Sequence, residues 1–200
     1  MKEKLLFFTT LFVLALVPLF GGGCSAPASH SNVSIGEALP DFSLKDLQGE
    51  THTLRGYAGN VVVLEMSNIE CPWSVGANPD LIELQNRYAD EGVVFLGIDS
   101  HATKTVDEIR AFTESIELNF PMLKDVDNVY ADVLGAVTTP EIYILDKAGK
   151  LVYHGAFDDR KQPDEKGAHA YTENAIKAAL AGEAADPAEV KSWGCTIKRK

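Results

Sequence analysis

The sequence predicts an α/β fold: a three-layer α/β/α sandwich around a mixed central β-sheet. Two observations carry this prediction. Apolar, β-branched runs at residues 61–67 and 93–98 alternate with segments of helical periodicity, the order that builds parallel strands covered on both faces. Two further apolar runs, 141–146 and 151–154, flank Lys147-Ala148-Gly149-Lys150 and add an antiparallel hairpin.

The elements follow in order. Phe42 and Leu44 alternate with polar residues, Asp46-Leu47-Gln48-Gly49 reads as a turn, and residues 51–54 return. Leu81, Leu84 and Tyr88 lie at helical spacing within residues 78–90, before Gly92. Thr105 caps a helix over 105–117, with Glu108 completing a capping box and Val106, Ile109, Phe112 and Ile116 forming the apolar stripe. Residues 121–123 read as extended, 127–134 as a short helix, and 170–181 as a last helix closed by Gly182. No internal repeat is visible.

Ahead of the domain, Lys2 and Lys4 precede an apolar stretch from Leu5 to Phe20, then Gly21-Gly22-Gly23-Cys24 and a small-residue tract. This pattern describes an export signal, and the stretch is short for a spanning helix, which needs about 20 apolar residues. The expected division is a signal over 1–23, a flexible tether over 24–38, a domain over 39–182 and an extended tail over 183–200. Removing residues 1–23 takes away two lysines and one glutamate, so the net charge of −11 becomes −12. An acidic chain with no basic run argues against nucleic acid, whose phosphates need lysine and arginine. In an exported protein, Cys71 and Cys195 have the compartment in which a disulfide persists.

The residues with chemistry centre on Cys71-Pro72-Trp73-Ser74, between the 61–67 strand and the following helix. A cysteine at such a junction meets the helix N–H groups and the positive end of the dipole, a setting in which sulfur is nucleophilic. Glu70 opposes a negative charge there and the Ser74 hydroxyl favours one, so the balance stays open. Glu65, inside the strand, has two readings: a desolvated carboxylate suited to proton exchange with the thiol, or a solvated or lysine-paired edge group. Trp73 either shapes access to the sulfur or packs on its helix. Position 74 is serine, so the second cysteine of a C-x-x-C pair is absent. His101, His154 and His169 do not show metal-ligand spacing and read as surface or packing histidines.

Taken in sequence, strand, Cys-Pro-Trp-Ser, helix, a second βα unit and Thr138-Thr139-Pro140-Glu141 opening a hairpin resemble the thioredoxin-like superfamily over residues 39–182. Pro79 and Glu65 match its helix-kinking proline and buried carboxylate. Thr139 and Pro140 match the threonine and cis-proline that pack against the active-site cysteine and position substrate. The Trp193-Gly194-Cys195-Thr196-Ile197-Lys198 tail and Gly155-Ala156-Phe157-Asp158-Asp159 resemble a redoxin subgroup related to the alkyl hydroperoxide reductase and thiol-specific antioxidant family. The resemblance implies a thiol–disulfide oxidoreductase with Cys71 as nucleophile and no cofactor or metal. About ten extended residues span up to about 30 Å, enough for the tail to bring Cys195 to the sheet's end as a resolving thiol; a structural Cys71–Cys195 staple and an inert thiol are the alternatives. The proline and threonine of the peroxidase loop are replaced by Leu64 and Asn68, which departs from the peroxide-reducing pattern.

Cys24 resembles the lipid-accepting cysteine of bacterial lipoprotein signals, with Gly21 where leucine is usual. Cleavage after Ala28 is the other exit. The expectations are therefore an exported redox protein on the periplasmic side of a bacterial membrane, anchored there by lipid. It would take a disulfide-containing protein or a hydroperoxide as substrate and an external thiol as reductant. A thiol peroxidase with an antioxidant role, and a non-catalytic binding module with a structural disulfide, are the rival functions.

Overall fold

In the computed structural model of the chain, residues 32–200 are described. The expected signal, residues 1–23, the lipid site Cys24 and residues 24–31 of the tether lie outside them. Ten strands and four α-helices follow in order: β1 Ser43–Asp46, β2 Thr51–Thr53, β3 Val61–Ser67, α1 Pro72–Tyr88, β4 Val93–Asp99, α2 Val106–Ser115, β5 Met122–Lys124 and α3 Val129–Leu134. Then come β6 Thr138–Thr139, β7 Glu141–Leu145, β8 Leu151–Gly155, α4 Tyr171–Ala181, β9 Glu189–Val190 and β10 Cys195–Thr196. Eight strands form one sheet in the order β2-β1-β5-β4-β3-β7-β8-β9, and β10 pairs with β6 in a second, two-stranded sheet.

The main sheet is mixed, as the element order predicts. β3 runs parallel to β4 and antiparallel to β7. All seven residues of β3 are buried, because the strand is central and covered on both faces. Its alternation sorts the two cores: Val61 and Val63 pack with Leu81 and Leu84 of α1 and Ile176 of α4, while Val62, Leu64 and Met66 pack with Tyr130 and Leu134 of α3. α2 lies over the β5 side, where Ile109 meets Leu47 and Met122. Its Thr105–Glu108 capping box forms as expected.

Residues 32–38, assigned to the tether from sequence, run against the domain. Gly36 donates to Leu151, Leu151 donates to Glu37, and Asn32 donates to Leu134. Those partners come from β8 and α3, so no periodicity within the segment itself could announce them. α1 begins at Pro72, six residues ahead of the expected stretch. Pro72 occupies its first turn, where a missing N–H is tolerated, and Pro79 lies inside it. No helix of the described residues is long and apolar enough to cross a membrane.

Candidate active site

Cys71 is the N-cap of α1, at the positive end of that helix's dipole. Its N–H donates to the Asn68 carbonyl and its own carbonyl accepts from Val75. The side chain is fully buried, and the thiol donates to the Thr139 carbonyl at 3.0 Å. Glu70, beside it, is exposed and paired with Lys104 at 3.0 Å, so its charge is balanced locally. Asn68 is buried, and its side-chain oxygen accepts the Glu70 N–H at 2.9 Å.

The opposing loop is bolted from below. Glu141 Oε2 accepts the N–H groups of Val137 and Thr138 at 3.0 Å each, and the Thr138 hydroxyl at 3.1 Å. Its Oε1 accepts the Tyr143 hydroxyl at 3.0 Å and lies 2.7 Å from His154 Nε2. Burial pulls this carboxylate upward, but the bonds from His154, Val137 and Thr138 hold it below the usual range. The Thr139–Pro140 bond above it is cis, the isomer that the resemblance implies.

Glu65 is 1% exposed in β3 and pairs with no lysine among the described residues. Ser74 Oγ donates to its Oε1 at 3.3 Å, and Oε2 has no protein partner. Burial pushes the carboxyl up to about 7; the Ser67 and Ser74 hydroxyls pull it down, and the Asp99 charge adds to the rise. A carboxyl raised in the fold stabilises it only while protonated. Stability is therefore full below about pH 4.5 and falls as pH rises to about 7, by about 3 kcal/mol. Glu65→Gln fixes the uncharged form, so its melting temperature is expected to exceed the parent's at pH 8 and to converge with it at pH 4. Parallel thermal melts across pH check this; a constant gap would refute the buried charge.

Cys195 reaches the site by strand pairing. β10 runs antiparallel to β6, with Cys195 opposite Thr139 and Thr196 opposite Thr138. Its thiol is pushed up to about 11, first by burial and then by the hydrogen bond and charge of Cys71; both cysteines are free thiols. The Trp73 ring packs at 5.0 Å, tilted by 58°, against Trp193, whose indole N–H donates to the Asp158 carbonyl at 2.9 Å. Cys71, Trp73, Ser74, Thr139, Pro140, Cys195 and Glu65 thus gather at one end of β3. A cleft of about 570 Å³ lined by Leu44, Leu47, Val106 and Val129 lies elsewhere, and Cys71 does not border it.

Several residues at the site carry no role in the sequence reading. Glu141 and Asp158 stand in recognised motifs without an assigned task. His154, read as a surface or packing histidine, is buried against Glu141. Arg160 is buried in bonds to Asp158, Asp80, Gly76 and Pro163. A charged residue in an otherwise apolar strand, as Glu141 is in β7, was the available signal for one of them.

Comparison with known proteins agrees with this geometry. The AhpC/TSA family model matches residues 35–154, so the tail with Cys195 lies beyond the matched region. The thioredoxin-like protein YneN of Bacillus subtilis (strain 168) is 33% identical over 143 residues, covering 70% of this chain and 84% of that protein. The thiol-disulfide oxidoreductase ResA of Geobacillus thermodenitrificans (strain NG80-2) is 28% identical over 152 residues, 75% of this chain and 86% of that one. The crystal structure of a hypothetical protein from Sinorhizobium meliloti 1021 superposes with a TM-score of 0.79 at 29% identity, covering 85% of this chain and 97% of that chain. With a family match over more than half its length, the chain belongs to the AhpC/TSA family and is a thioredoxin-like, thiol-dependent oxidoreductase.

Proposed function

We propose that this protein is an exported thiol–disulfide exchange enzyme in which Cys71 attacks and Cys195 resolves. The observation that carries the reading is the pairing of Cys195 with Thr139, which brings a second thiol against Cys71. The Cys71 thiolate attacks one sulfur of a substrate disulfide; a Cys71–substrate bond forms and the other substrate sulfur leaves as thiolate. Cys195, as thiolate, then attacks the Cys71 sulfur, so the substrate leaves reduced and the enzyme holds a Cys71–Cys195 disulfide. An external thiol donor returns both cysteines to thiols. Two electrons and two protons pass from the enzyme dithiol to the substrate in each turn. Ser74, one turn after Cys71 and bonded to Glu65, links the thiol end of α1 to a carboxyl poised near neutral pH, which suits Glu65 to exchange the proton.

Localisation follows the N-terminal sequence: a signal over 1–23, a lipid-accepting Cys24 and a tether over 24–38 would hold the 39–182 domain and the 183–200 tail outside the cytoplasmic membrane. The ResA relative is named a thiol-disulfide oxidoreductase, which favours disulfides over hydroperoxides as substrate.

Mass spectrometry of the native protein, alkylated before and after mild reduction, tests the scheme. The expected result is a Cys71–Cys195 bond that opens readily with a dithiol. Two thiols that stay free in air and with oxidised substrate would overturn it. Rapid stopped-flow oxidation of Cys71 by peroxide, faster than by any disulfide, would move the assignment to a peroxidase.

A further inference from the structure

The C-terminal tail occupies the strand edge that lies over the active-site cysteine. β6 pairs only with β10 among the described strands, and it carries Thr139, whose carbonyl accepts the Cys71 thiol. With the tail in place, Cys71 is 0% exposed. A substrate sulfur therefore reaches Cys71 only when the tail has left that edge. The tail itself is a short extended peptide with a cysteine at the reacting position.

We infer that residues 193–197 are a built-in stand-in for the substrate, and that the substrate is an extended peptide segment of the form aromatic–Gly–Cys, bonded through its cysteine. The inference rests on the disulfide-exchange reading above and specifies its substrate class. Three contacts define the chemistry recognised. Cys195 faces Thr139 in antiparallel register, and Thr139 Oγ1 lies within 3.5 Å of the Cys195 carbonyl, so main-chain pairing presents the sulfur. Gly194 has φ +135°, and a Cβ there would sit 2.1 Å from the Thr139 carbonyl oxygen. The residue before the cysteine must therefore be glycine for a strand to lie this close. Trp193 rests on Trp73, which gives an aromatic side chain two positions before the cysteine a partner ring.

The same geometry explains how one edge serves two steps. A substrate strand that displaces β10 puts its cysteine sulfur where Cys195 was, and Cys71 forms a disulfide with it as the other substrate sulfur departs. When the tail re-pairs with β6 it takes the edge back, and Cys195 arrives at the Cys71–substrate bond from the position just vacated. Ile197, buried against the α3 core, and Arg199, paired with Asp132 at 2.7 Å, draw the tail home. Ile197 N–H also donates to Val137 O and Lys198 O accepts from Ala102 N–H, each at about 3 Å. Arg199 bonds Ala136 O, and Lys200 bonds Asn128 and Asp127, so the end of the chain stays anchored and only residues 193–196 need give up the edge to a competing strand.

The test uses the reduced full-length Cys195→Ser protein, with Cys71→Ser/Cys195→Ser as background for Cys24. The probes are the synthetic peptides Trp-Gly-Cys-Thr-Ile and Trp-Ala-Cys-Thr-Ile, each carrying a coloured aromatic thiol in disulfide linkage to its cysteine. A small symmetric aromatic disulfide serves as reference. Release of the coloured thiol reports attack by Cys71. The glycine peptide is expected to react about tenfold or more faster than the alanine peptide, relative to the reference. Adding Gly194→Ala to the protein weakens the competing tail and is expected to accelerate the glycine peptide about tenfold. Equal rates for the two peptides, with the small disulfide still reactive, would overturn the stand-in while leaving disulfide exchange intact. An unchanged rate on Gly194→Ala would do the same. A Cys71 inert toward all three probes would overturn the exchange reading and this inference with it.

Discussion

Cys71→Ser is expected to abolish disulfide exchange, by at least about a thousandfold, because a serine hydroxyl offers no comparable nucleophile at neutral pH. The same change is expected to leave the fold intact or slightly firmer. The Cys71 side chain accepts no bond from the free N–H groups of α1, and serine is a preferred N-cap, which contributes about 1 kcal/mol where it bonds such an N–H. A purely structural Cys71–Cys195 staple predicts the reverse: little change in activity and a loss of about 2–4 kcal/mol as the cross-link goes. Turnover of a model disulfide, measured alongside thermal unfolding under oxidising conditions, separates the two. Retained exchange in Cys71→Ser would remove Cys71 from the mechanism. Cys195→Ser complements it: a first attack persists, and the Cys71–substrate adduct accumulates because nothing resolves it.

The fold was readable in the sequence wherever local pattern and burial agree. The β3 run, fully apolar apart from Glu65 and Ser67, carries its central position in its composition, and the Thr105–Glu108 box marks the start of α2 to the residue. The beginning of α1 was hidden because Trp73, Ser74, Val75 and Gly76 show no apolar stripe. That turn is set instead by Pro72 and by Gly76, whose missing Cβ lets Pro163 O approach; a Cβ there would lie 1.8 Å from it. At the site, Cys71 and Pro140 announce themselves by residue type and neighbours. Glu141 stands out only as a charge in an apolar strand, and its task stays hidden, since its partners come from residues 137, 138, 143 and 154 and assemble only in the folded chain. The two-residue strands β9 and β10 are set by the edges they meet, β8 and β6, and no periodicity of their own encodes that register.

Arg160→Leu is expected to cost about 3–5 kcal/mol, a large part of the about 5–15 kcal/mol by which such domains are stable. The guanidinium is buried, with side-chain exposure of 1%. Its Nε and one terminal nitrogen bond both oxygens of Asp158 at 2.9 Å, a fork that leucine removes while leaving the carboxylate buried. Its other contacts run to α1, at Gly76 O (2.8 Å) and Asp80 (2.7 Å), and to Pro163 O at 3.1 Å. Losing them loosens residues 157–167 from α1, leaving Lys166–Asp80 at 3.0 Å as an ion-pair tie. The consequence extends to the sulfur, because Asp158 O holds the Trp193 indole and Trp193 covers Trp73. Arg160→Leu is therefore expected to lower the urea midpoint and also to speed alkylation of Cys71. Arg160→Lys should rescue little, since one ammonium cannot meet the Asp158 fork and two carbonyls at once. Asp158→Asn combined with Arg160→Leu should recover part of the loss, because the orphaned charge goes with its partner. A single variant within about 1 kcal/mol of the parent, with Cys71 as protected as before, would show that the network neither supports the fold nor seats the tail.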